Sequence, residues 1–225
     1  MCHSSCITFG EANLTRDDIE GKRVLEVGSF NVNGSLRTIV ETLRPREYIG
    51  VDFQSGPGVD EICNADRLVD RFGENAFDVL ISTEMLEHVR NWKRVISNLK
   101  RVLKPGGILA VTTRSKGYPY HSAPFDFWRF EIRDMEVIFS DLKIETLQTD
   151  PEAPGVFLKA RKPAVFDEND LSKHQLYSMI KWKRVSSITG LEIWTYRFRY
   201  LLRHYASIAL PESAKTVIKD KVLHE

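Results

Sequence analysis

Cysteine is scarce in this 225-residue chain, and its three copies, Cys2, Cys6 and Cys63, make no disulfide framework. That excludes the small disulfide-held secreted scaffolds and suits a reducing cytoplasm, the expected location. The N-terminus lacks the apolar core of a secretory leader. No uninterrupted apolar run approaches the ~18 residues that a membrane-spanning helix needs. A dominant charge is missing too. The net charge of +1 gives the whole chain no electrostatic case for nucleic acid. Repeats and low-complexity tracts are also absent.

What is there is an ordinary globular composition, 42% hydrophobic and 28% charged, in a chain long enough for one full α/β core plus an appendage. Residues 1–20 read as a loosely held arm followed by a short helical turn. Strand-like and helix-like segments then alternate. Strands are expected at 22–27, 48–52, 59–62, 77–82 and 108–113, and helices at 34–43, 66–72 and 92–103. Strands spaced by helices of this length indicate βαβ units and a parallel sheet. A loop rich in aromatics and prolines follows Arg114, then a helix at 132–139 and strands at 143–148 and 155–160. The domain is therefore expected to span residues 21–163, with a C-terminal helical extension over 164–225. Within the extension, helices are expected at 171–188, 191–210 and 213–223. Residues 171–204 carry seven basic side chains against one acid, Glu192, leaving the rest of the chain net acidic.

The stretch from Val24 to Gly34 carries the first chemical signal. A strand runs into a turn at Gly28, and a helix opens at Gly34, which is where a doubly wound sheet docks its ligand. Such a turn ordinarily presents amide groups and a helix N-terminus to an anion. Glu26 at its edge would repel a pyrophosphate and suits a ligand carrying a sulfonium and an α-amino group. Asp52 ends the second strand, 24 residues after Gly28, where an acid can accept hydrogen bonds from both ribose hydroxyls. Asp66 follows the third strand, placed either to accept from an adenine amino group or to cap the next helix.

Together these segments resemble the class I S-adenosylmethionine-dependent methyltransferases. VLEVGSFNVNG is similar to their first motif, YIGVD to the second and NAD to the third. FDVLISTEMLEHV matches the fourth-strand motif, and LKRVLKPGGILAVTT the long helix, turn and fifth strand. The resemblance covers about residues 20 to 160. It implies a Rossmann-like, mostly parallel seven-stranded sheet and S-adenosyl-L-methionine as cofactor. By that resemblance Glu26 and Gly28 hold the methionine portion, Asp52 the ribose, and Ala65 and Asp66 the adenine. Ser82, Thr83 and Glu84 line the floor below the sulfonium, and Ser29, Phe30, Gly34 and Phe53 complete the cofactor set. The family's first motif has three alternating glycines. Here Phe30 and Val32 replace the second and third, so the backbone path around Phe30 departs from the pattern.

The acceptor side is expected in the loop Tyr118–Phe130, which leaves the same sheet edge. His121 is the leading candidate for a general base, with Asp126 orienting it or serving instead, and Arg129 beside them. Asp126 and Arg129 have a second reading, in which they pin the loop. His88 reads as packing. Cys2, His3 and Cys6 lack a second pair at zinc-like spacing, so no metal ligands are expected. The expected partner is a small-molecule or sugar-type acceptor. An RNA acceptor met by the basic C-terminal segment and a non-catalytic cofactor-binding module are the rivals. The segment's tryptophans and tyrosines are also compatible with a membrane surface. The favoured reading of its helices is apolar packing on the domain or on a twin subunit, a homodimer.

Overall fold

The computed structural model describes residues 4–121 and 125–209, with only the backbone described over 201–209. Cys2, His3, residues 122–124, Pro211 and the helix expected at 213–223 lie outside the described residues. The chain forms two units, residues 1–187 and 188–225.

The first unit opens with two helices, α1 (Ser4–Asn13), which corrects the expected loose arm, and α2 (Arg16–Ile19), the expected helical turn. Cys6 and Phe9 of α1 are buried, and the Phe9 ring lies 5.1 Å from that of Phe157. Leu14 and Ile19 join the main core, and Thr15 with Asp18 forms a capping box that starts α2. These apolar residues have little helical periodicity, so the sequence pattern hides the segment's packing face.

A βα alternation follows: β1 (Arg23–Val27), α3 (Arg37–Thr42), β2 (Glu47–Asp52), β3 (Glu61–Ile62), a 3₁₀ turn at Ala65–Arg67 continuing into α4 (Leu68–Phe72), and β4 (Phe77–Thr83). Next come α5 (Trp92–Val102), β5 (Leu103–Arg114), β6 (Trp128–Arg129), α6 (Ile132–Ile138), β7 (Lys143–Thr149) and β8 (Gly155–Arg161). Seven of these strands make one sheet in the order β3-β2-β1-β4-β5-β8-β7, parallel except at β8, which runs against both neighbours. This is the expected seven-stranded Rossmann-like class. The central strands β1 and β4 are buried along nearly their whole length, as a sheet covered on both faces requires. Val24, Val79, Ile81, Ile108 and Ala110 meet Leu36 and Val40 on one face to form the core.

β5 begins earlier than its composition implies. Leu103 already pairs with Phe77, and the Pro105-Gly106-Gly107 segment is absorbed as an irregularity before Ile108 pairs with Val79. α3 starts at Arg37 rather than Gly34, because residues 28–34 are taken up by the turn.

The helix expected at 171–188 is instead a hairpin, β9 (Leu176–Ser178) and β10 (Lys183–Val185). It pairs with β6 as a small second sheet, so the unit runs to residue 187, beyond the expected boundary at 163. Leu176 and Ser178 are buried around a half-buried Tyr177, a period-2 pattern in only three residues, and Trp182 turns the chain in a left-handed conformation. The basic side chains Lys181, Lys183 and Arg184 therefore sit on a hairpin. Lys100, fully buried on α5, donates to Asp141, Asn169 and the Ile138 carbonyl, and so ties residue 169 of the connecting segment to the region after α6.

In the second unit, α7 (Gly190–Ala209) runs close to the range expected. Thr189 and Glu192 exchange hydrogen bonds at its start, and the rings of Trp194 and Phe198 stack at 5.6 Å. No helix among the described residues is long and apolar enough to cross a membrane.

Candidate active site

The chain order reverses between β1 and β4, since β2 and β3 lie to one side of β1 and β4 returns to the other. A crevice at the carboxyl ends of these strands is the general ligand position of such sheets.

The turn after β1 is tied to β2, with the Gly28 and Ser29 amides donating to the Val51 carbonyl at 2.9 and 3.1 Å. Gly28 has φ +83°, and a Cβ there would lie 2.7 Å from the Met85 side chain. Only glycine fits both the conformation and the space. The Ser29 hydroxyl is buried and has no hydrogen-bond partner. Phe30 donates its amide to Asp52 at 3.4 Å, and its ring covers Gly56 in the loop after β2. That contact supplies the path that replaces the second glycine. Gly34 donates to Asn31 at 2.9 Å and closes the turn.

Glu26 lies beneath this turn, nearly inaccessible. It accepts from Tyr48 at 2.9 Å and from Ser35 at 3.3 Å. Burial raises its pKa to about 7 against the opposing effect of those hydrogen bonds. Asp52 is buried at the end of β2 and receives backbone amide contacts, from Phe30 at 3.4 Å, from Gln54 at 3.3 Å and from Phe53, with no side-chain donor among its hydrogen bonds. Desolvation raises its pKa as well. Phe53 beside it is half exposed. Ala65 and Asp66 begin the 3₁₀ turn past β3. Asn64 holds the cap position without a side-chain bond, so Asp66 is not the cap.

The floor residues are placed differently from one another. The Ser82 hydroxyl donates back to the Val27 carbonyl at 3.0 Å. Thr83 is buried at the end of β4. Glu84 has φ +52° and turns its carboxylate to Arg114, which also pairs with Asp150 at 3.1 Å. Burial, then the nearby Glu87 and Cys6, holds the Glu84 carboxyl well above its usual pKa. Ser82 and Glu84 thus spend their polar groups within the protein.

On the acceptor side, Arg129 is fully buried and forks onto both oxygens of Asp126 while donating to the carbonyls of Tyr118, Pro119 and Trp128. Burial alone would raise the pKa of Asp126, but Arg129 and His121 overcome it and hold it at about 2. Asp126 also accepts from the His121 amide at 3.0 Å. This arrangement gives Arg129 and Asp126 the pinning role for residues 118–121. His121 Nδ1 stands 3.1 Å from Asp126, out of line for a full hydrogen bond.

Two neighbours complete the group, of which Glu87 was missed from sequence. His88, read as packing, meets His121 edge-on with ring centroids 4.8 Å apart. Glu87 is fully buried between them. The available signal was an acid–histidine pair just past the fourth strand.

A family model described as "Methyltransferase domain" matches residues 33–111. The phthiotriol/phenolphthiotriol dimycocerosates methyltransferase 1 of Mycobacterium ulcerans is 32% identical over 118 residues, 47% of this chain and 42% of that protein. These matches support a class I S-adenosylmethionine-dependent methyltransferase domain. A second relative of this methyltransferase domain, the fatty-acid O-methyltransferase of Mycolicibacterium smegmatis, is 30% identical over 123 residues, 50% of this chain and 44% of that protein. The chain thus spans less than half the length of these curated relatives. The methyltransferase fold is shared with the 1,6-didemethyltoxoflavin-N1-methyltransferase of Burkholderia thailandensis, solved with bound S-adenosylhomocysteine. There the TM-score is 0.59 at 15% identity, over 71% of this chain and 79% of that one. It is shared equally with the [4+2]-cyclase SpnF, at a TM-score of 0.55 and 18% identity over 70% and 79%. The fold alone therefore does not specify methyl transfer.

Proposed function

We propose that the protein transfers a methyl group from S-adenosylmethionine to a small-molecule or sugar-type acceptor by direct displacement. The observation that carries this reading is the set gathered around Gly28. There the buried Ser29 hydroxyl lacks a partner and Asp52 has only backbone donors, while Glu26 offers a carboxylate at the turn. Buried polar groups are ordinarily satisfied, so these open valences suit a ligand with ribose hydroxyls and an ammonium. When bound, the cofactor supplies an electrophilic methyl. The protein's share of the chemistry is alignment and exclusion of water, and the loop pinned by Arg129 is placed to provide both. His121 is the residue of that loop that meets the acceptor. The relatives are named for phthiotriol, phenolphthiotriol and fatty-acid methylation, which favours a small or lipid acceptor over RNA.

Calorimetry with S-adenosylhomocysteine tests the cofactor half. Asp52→Ala is expected to weaken binding by about 2–4 kcal/mol, the worth of two hydrogen bonds to a charged acceptor, with the melting temperature little changed. Unchanged affinity would remove Asp52 from the ribose site. Formation of S-adenosylhomocysteine from the methyl donor, screened against hydroxylated small molecules, sugars and RNA, tests the acceptor half. Turnover on RNA alone would overturn the small-molecule reading.

Glu26 adds a pH dependence. With its pKa near 7 in the free protein, it carries a proton below that pH and a charge above it. A bound ammonium favours the ionised form, so affinity for S-adenosylhomocysteine is expected to rise as pH climbs from one unit below to one unit above about 7. Glu26→Gln should flatten that rise. A wild-type profile that is already flat would place the ammonium elsewhere.

A further inference from the structure

We propose that Glu87, His88 and His121 form a binding site for one divalent first-row transition-metal ion. The proposal deepens the acceptor side of the reading above, which it rests on only for the ion's use, and it replaces a free imidazole base with a cation.

The three side chains converge from two separate segments. Each offers one ligand atom, and the three atoms lie within 4.8 Å of one another. Nε2 of His88 and Nε2 of His121 both stand 3.9 Å from Oε1 of Glu87. Ligands about 2.0–2.2 Å from a common ion stand roughly 3.0–3.5 Å apart, so side-chain adjustments of about 1 Å would complete the set.

Four observations indicate a cation rather than a packed polar cluster. First, Glu87 is fully buried, and its Oε1 has no hydrogen-bond partner, while Oε2 accepts from Thr113 at 2.9 Å. A carboxyl oxygen left bare in the interior is costly, and a metal ion is one of the few groups that compensate for it. Second, Nδ1 of His88 faces the Phe125 carbonyl and can only donate there, which leaves the lone pair on Nε2. Third, Nδ1 of His121 faces Asp126, itself clamped by Arg129. A small rotation of the ring would turn this 3.1 Å approach into the carboxylate–histidine support that metal-ligating imidazoles ordinarily have behind them. Fourth, the local charge does not balance. Glu87, Asp126 and Asp150 are buried acids beside only two buried cations, Arg114 and Arg129, while burial favours the protonated form of Glu84. The remaining excess is negative and favours a cation.

The donor set selects the ion. Two imidazoles and one carboxylate suit Zn²⁺, Fe²⁺, Mn²⁺ or Co²⁺ better than Mg²⁺ or Ca²⁺, which prefer oxygen throughout. Three protein ligands leave coordination positions open, the mark of a catalytic rather than a structural site. An acceptor hydroxyl is the class of ligand that would take one. Arg114 already pairs with Glu84, so Glu84 is not a fourth ligand.

The test uses the full chain, stripped with EDTA and desalted, then titrated with Zn²⁺ by calorimetry and with Co²⁺ by visible absorption. One equivalent is expected, with a Co²⁺ spectrum free of thiolate charge transfer. Glu87→Gln and His121→Asn should each weaken binding more than about 100-fold, and Asp126→Asn about 10–100-fold, as loss of a supporting partner does. S-adenosylhomocysteine affinity, read on the same samples, is expected to be unchanged, which shows that the variants are folded. His88→Gln serves in place of any variant that does not fold. No saturable binding, binding that survives both Glu87→Gln and His121→Asn, or a thiolate band from Cys2 and Cys6 would overturn the proposal. Loss of the nucleotide affinity in the wild type with the metal retained would overturn the methyltransferase reading and leave this site standing.

Discussion

Arg129→Met is expected to destabilise the first unit by about 3–5 kcal/mol, the cost of leaving a buried charge unpaired. Arg129 sits inside the protein with its guanidinium divided between Asp126 and three backbone carbonyls of its own loop. Methionine keeps much of the volume and supplies none of those donors. Asp126, now held at about 2, would then be a buried carboxylate whose remaining partners are the His121 amide and imidazole. The companion variant Arg129→Met with Asp126→Asn removes the charge as well and should recover much of the loss. Urea unfolding followed by circular dichroism measures both. A single-variant loss under about 1 kcal/mol, the range of exposed ion pairs, would show that water reaches this pair and that the loop is not anchored by it.

His121→Ala should lower turnover by about 10²–10⁴ on whichever acceptor the screen identifies, while leaving S-adenosylhomocysteine affinity within about twofold. The size follows from position. His121 belongs to a loop whose C-terminal end is fastened twice, the Phe127 amide to the Glu87 carbonyl and the Phe130 amide to the Arg114 carbonyl, and its own amide donates to Asp126. On the proposed reading, a group in this position acts in the step, whether it takes a proton itself or holds an ion that does the equivalent. Single-turnover measurements with saturating cofactor separate the chemical step from binding. Full turnover in His121→Ala would reduce the loop to a lid, and the rate would then come from alignment and exclusion of water.

The fold and the cofactor class were legible because the motifs that carry them are short and follow one another along the chain. A strand runs into a glycine that tolerates φ +83°, and acids close β1 and β2, so each motif can be read within its own few residues. The acceptor half was less legible because its residues come from distant segments. Glu87 and His121 are 34 positions apart, and neither segment alone has metal-ligand spacing. The hairpin at β9 and β10 was misread for a related reason. Three-residue strands carry too few alternations to outvote a lysine- and leucine-containing stretch that fits a helix. The N-terminal helix α1 was missed because Cys6 and Phe9 are buried by β8, more than 140 residues downstream, rather than by any stripe of their own.

The hairpin also sets an order of events. β6, which carries Trp128 and Arg129, has β9 as its strand partner, and the Met179 amide closes the same seam onto the Phe127 carbonyl. A ribosome emits β6 some 50 residues before β9, so during synthesis the acceptor loop has its inner attachments to Glu87 and Arg114 but no outer edge. The nucleotide crevice between β1 and β4 faces no such delay. A nascent chain would therefore become competent to hold a nucleotide well before it could position an acceptor. The last part of the first unit to emerge is the hairpin that completes the edge of β6.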